Sequence, residues 1–76
     1  MEVRILTNEE RARWLGRGSY DEEAQTVLIT SSSIPSGFEW VGASIKIERP
    51  SDAKVVARGI VISKEGSTIQ LEISSK

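Results

Sequence analysis

Ile45 and Ile47, and again Ile69, Leu71 and Ile73, fall on alternate positions, and that period of two confines both ends of the second half of the chain to β-strands. Ile45 and Ile47 alternate with Ser44, Lys46 and Glu48. Ile69, Leu71 and Ile73 alternate with Gln70, Glu72 and Ser74. Between them, Lys54 to Ser63 reads as a long strand that is apolar on both faces. Val55, Ala57 and Val61 lie on one face, and Val56, Ile60 and Ile62 on the other. A strand of that kind is expected at the centre of a sheet. Gly59 within it predicts a bulge or sharp bend. Arg49-Pro50-Ser51-Asp52 suits a type I turn, because proline presets the backbone angle at the second position. Lys64-Glu65-Gly66 fits a turn with glycine in the left-handed slot. Short connections of this sort make antiparallel neighbours.

The first half reads differently. Val3 and Ile5 alternate with Glu2 and Arg4 in a short first strand. Thr7-Asn8-Glu9-Glu10 then has the spacing of a capping box, so a helix is expected from about Asn8 to Leu15. Glu9, Arg13 and Arg17 stand at i,i+4 spacing along it, and Gly16 and Gly18 supply its stop. Ser19 to Gln25 reads as loop, and Thr26 to Thr30 as a strand. Ser31 to Gly37 is the longest irregular stretch, and Phe38 to Val41 a further short strand. The expected class is α+β: a strongly bent antiparallel sheet or open β-barrel of about five strands. One short N-terminal helix stands between strands 1 and 2. Residues 1–76 form a single domain without a linker.

A chain of 76 residues buries a modest share of its surface and is commonly stapled by disulfides, metals or a partner copy. With neither cysteine nor histidine, disulfides and thiolate or imidazole metal sites are excluded. Homo-oligomerisation is the remaining common route. The apolar runs are far too short for a membrane helix, and the N-terminus lacks the pattern of a secretory signal. The expected location is cytoplasmic, with no membrane partner.

Loss of histidine and cysteine also removes the commonest general base and the most nucleophilic side chain. The serines lie in no nucleophile-elbow context, and Asp21-Glu22-Glu23 matches no calcium loop. The expectation is a non-catalytic binding module with no cofactor and no metal. Protein is its first-ranked partner, through Trp14, Tyr20, Phe38 and Trp40 together with exposed sheet edges. Phe38 and Trp40 flank Glu39, so on a strand both rings share one face, and core filling is the simpler use of them. Single-stranded nucleic acid ranks second, through Arg11, Arg13 and Arg17 around Trp14. Against it stand a net charge of −1 and the neighbouring Glu9 and Glu10. A salt-bridged helix face, with Trp14 and Leu15 packed on the sheet, is the simpler reading there.

An anion or cyclic-nucleotide module near Arg13, Arg17 and Gly37 ranks third. Arg13-Trp-Leu-Gly-Arg17, followed by a serine-rich turn ending in Gly37, loosely resembles the PilZ domain. That resemblance implies a small barrel binding a cyclic dinucleotide through such arginines and a later Asp/Asn-x-Ser-x-x-Gly turn. The sequence departs from the pattern. Ser31 stands where an acid or amide is expected, Ser33 to Gly37 is one residue too long, and the chain is shorter than that family.

Overall fold

The computed structural model describes residues 1–32 and 37–75, with the side chain of residue 75 excepted. It is an all-β barrel. Six strands run Glu2–Thr7 (β1), Trp14–Asp21 (β2), Thr26–Ser32 (β3), Ser44–Arg49 (β4), Lys54–Glu65 (β5) and Thr68–Ser75 (β6). All neighbours are antiparallel, and the order β1-β2-β3-β6-β5-β4 closes on itself through β4 and β1. Two three-stranded meanders, β1–β3 and β4–β6, are thus zipped together along both edges. The meander over the second half matches the alternation of its apolar residues.

The α+β class and the helix over 8–15 are overturned, since no helix occurs among the described residues. Thr7 closes a hairpin instead of capping a helix. Its N–H donates to the Arg13 carbonyl at 2.9 Å, and its hydroxyl accepts from the Arg13 N–H at 2.7 Å. An eight-residue helix has little stability of its own in water. Extended, the same stretch sends Leu15, Gly18 and Tyr20 inward and pairs with strands on both sides. Long-range pairing therefore outweighs the local cap. The segment Phe38 to Val41 is likewise not a strand but part of the connection into β4. Residues 33–36, the centre of the predicted irregular stretch, lie outside the described residues.

Val3, Ile5, Leu15, Tyr20, Val27, Ile45, Ile47, Ala57, Val61, Ile69 and Leu71 fill the interior. No polar or charged side chain among the described residues is buried with them. Each fully buried aliphatic contributes about 1.5–3 kcal/mol relative to exposure. β5 is not doubly buried as its composition suggested. Ala57 and Val61 face in, while Ile60 and Ile62 face out and are exposed, because a closed barrel has one interior.

Gly18 and Gly59 let so small a barrel close. Each sits at a register shift, Gly18 against β3 and Gly59 against β6. A Cβ on Gly18 would collide with the Leu28 carbonyl oxygen, and one on Gly59 with that of Glu72. These are bulge glycines within strands, so the stop expected from Gly16 and Gly18 is corrected with the helix. The bulge expected at Gly59 is present. The turn after β4 is held by an Arg49–Asp52 ion pair of 2.6 Å, with Asp52 Oδ1 also accepting the Lys54 N–H.

Gly59→Ala should destabilise the barrel by about 2–3 kcal/mol, the scale of overpacking, read as a lower urea midpoint. Hydrogen bonding from Arg49 holds the Asp52 carboxyl at about 2, below its ordinary 3.8. A lowered folded pKa contributes stability above the ordinary value that is lost as pH falls through the folded one. Melting curves should therefore show a small loss between about pH 4 and 2 that Asp52→Asn flattens.

Candidate functional surface

The closed barrel scatters the four aromatic residues. Tyr20 points inward, only 7% exposed. Burial, then the charges of Glu22 and Asp21, push its phenol above the ordinary 10. Phe38 and Trp40 pack edge to face, with centroids 5.1 Å apart and planes at 82°, half-buried against the core. They cover the barrel rather than present a two-ring strand face. Trp14 alone is well exposed, at 39%, and lies on the outer wall while Leu15 faces in. The four do not form one surface. Closure gives each strand a neighbour on both sides, although β3 meets β6 in register only over Thr26–Leu28, so edge-strand exposure is reduced to short stretches.

The arginines are redistributed in the same way. Arg11 and Arg13 stand in the β1–β2 hairpin loop, and Arg17 projects from β2. Arg17 borders an open groove of about 510 Å³ with Glu2, Gly18, Ser19, Thr30 and Ser31. A smaller cavity of about 230 Å³ lies between Ile29, Ser32, Trp40, Lys64, Gly66 and Ser67. Among the described residues Arg49–Asp52 is the one ion pair, so the helix-face pairs expected between Glu9, Arg13 and Arg17 are absent. Asp21 is occupied as a turn cap, its Oδ1 accepting the N–H groups of Glu23 and Ala24 at 3.1 and 3.2 Å. Among the described residues no group of three or more acidic side chains is placed to hold a metal.

Strand register assembles an outer wall that linear inspection does not bring together. Across β2, β1, β4 and β5, one row reads Trp14, Leu6, Lys46, Arg58. The next reads Arg17, Arg4, Glu48, Val55. A third, on the other side, pairs Ser44 with Ile60 and Ile60 with Glu72. The Arg4 guanidinium lies 6.0 Å from the Trp14 ring centroid and donates to the Pro50 carbonyl at 2.8 Å. It bridges a ring and a turn rather than pairing with Glu48. Beside the third row, Gly42 N–H donates to the Val61 carbonyl at 2.7 Å, which ties the turn carrying the exposed Val41 to β5 at the residue between the exposed Ile60 and Ile62.

No family model matches this chain, and no curated protein or solved structure does so either. The PilZ-like spacing thus gains no support from a family match. Ser33 lies outside the described residues, and Arg13 and Arg17 sit on a hairpin rather than a helix. No helix among the described residues is long and apolar enough to cross a membrane.

The raised phenol of Tyr20, the one tyrosine, gives a clean alkaline probe. A raised folded pKa contributes stability below the ordinary value that is lost as pH rises past it. Absorbance at about 295 nm should titrate above pH 10, with the barrel losing stability over the same range.

Proposed function

We propose that the chain is a non-catalytic binding module that docks another protein on the outer aliphatic strip of Val41, Ile60 and Ile62. The observation that carries the reading is their exposure, 56%, 45% and 50%, on the wall of a closed barrel. A lone exposed aliphatic needs no explanation, but a cluster rimmed by polar groups marks an interaction site. Here Ser44, Ser63 and Glu72 form that rim. β-Branched Ile60 and Ile62 offer a stiff surface that loses little side-chain freedom on docking. The absence of histidine and cysteine supports a non-catalytic role. The first-ranked partner class is retained, while the surface moves from the aromatics to these three aliphatics.

A photoreactive residue at position 62, installed in cells that make the protein, should capture one discrete protein. The same residue at position 22, in the acidic turn, should not. An adduct of two copies of the chain would make the partner the protein itself. Equal labelling from both positions, or none from position 62, would overturn the reading.

A further inference from the structure

We propose that the wall of β2, β1, β4 and β5 binds single-stranded nucleic acid, with Trp14 stacking on a base while Arg17, Lys46 and Arg58 neutralise phosphates. The site adjoins the aliphatic strip, since Arg58 and Ile60 are alternate residues of β5, but its argument stands without it.

The first observation is that folding opposes this arrangement. Arg4 faces Arg17 across β1 and β2, and Lys46 faces Arg58 across β4 and β5. Like charges directly opposed on neighbouring strands destabilise a sheet. The two rows hold four cations against the single carboxylate of Glu48, in a chain whose net charge is −1. None of the four has an ion-pair partner among the described residues. Charge is thus concentrated on one wall against the average of the molecule, and a local excess sets what that wall attracts.

The second observation is the ring in the same row. Trp14 is exposed and held beside Leu6, with the Arg4 guanidinium near it. An exposed indole among cations combines a stacking platform with phosphate neutralisation, the two requirements of single-strand binding. A duplex would leave the ring without an accessible base face. Four strands span about 14 Å, room for a short stretch of single strand. Arg4 is a positioning residue here, since its guanidinium is already engaged with Pro50 and Trp14. Arg11 and Arg13 add charge from the adjoining loop, offset by Glu9 and Glu10.

The test titrates the full chain with a ten-nucleotide oligothymidylate at low salt while following tryptophan emission. Binding should quench emission, and Trp14→Phe should remove the response. The affinity should fall with salt at a log–log slope of about −2, as expected for three phosphate contacts to a single strand. Lys46→Glu places a carboxylate opposite Arg58, so it should weaken binding at least tenfold while the melting temperature holds or rises. Arg58→Gln serves as a second variant and should weaken binding several-fold without lowering the melting temperature. No binding at low salt would overturn the proposal, as would affinity indifferent to both charge variants. Binding to phosphatidylserine vesicles but not to the oligomer would assign the wall to a membrane surface instead.

Discussion

Closure of this barrel depends on places where a main-chain carbonyl occupies the volume a side chain would need, and the described strands have three, at Gly16, Gly18 and Gly59. At Gly18 the intruding oxygen belongs to Leu28, and at Gly59 to Glu72. Both lie at register shifts, so the sheet bends sharply where its strands change alignment. That bending brings β4 round to β1, and the ladder Arg4–Thr7 against Ile45–Glu48 completes the wall. Only then do Val3 and Ile5 join Ile45 and Ile47 as neighbours on one inner face. A chain without cysteine or histidine, and with no buried polar side chain among the described residues, holds together through that single apolar core.

The strands were legible wherever period-two alternation met a clear turn. Ile45–Ile47 and Ile69–Leu71–Ile73 announce themselves, and Arg49–Asp52 and Lys64–Gly66 mark the corners between them. The first half misled because Thr7 and Glu10 imitate a helix start. The competing signal in Leu15, Gly18 and Tyr20 is diluted by glycine, which shows no hydrophobic pattern even where it faces the core. A glycine read as a helix stop and a glycine serving as a strand bulge are the same letter. The carbonyl that distinguishes them comes from a strand ten or more residues away.

The candidate surfaces were legible only in part, for a related reason. Trp14 and Arg17 stand close in sequence and were read together. Arg4, Lys46 and Arg58 joined them only through register, because cross-strand neighbours on a barrel come from distant segments. Phe38 and Trp40 pack half-buried against the core from a connection, not from the strand their spacing predicts. Tyr20 could not be placed until β2 was known to be a strand. The exposure of Ile60 and Ile62 was hidden because an apolar strand reads alike whether its second face meets a core or open water.

The separation of inward and outward positions has a consequence for how such a domain diversifies. Core side chains come from the inner face of the strands, and the cationic rows come from the outer one, with the bulges switching the alternation where strands change register. Substitutions on the outer rows alter neither interior volume nor the backbone ladders, so recognition can drift while the scaffold stays under strict selection. Relatives of this barrel would then share an inner pattern of aliphatics and bulge glycines and little else. Whole-sequence similarity would fade long before the architecture did.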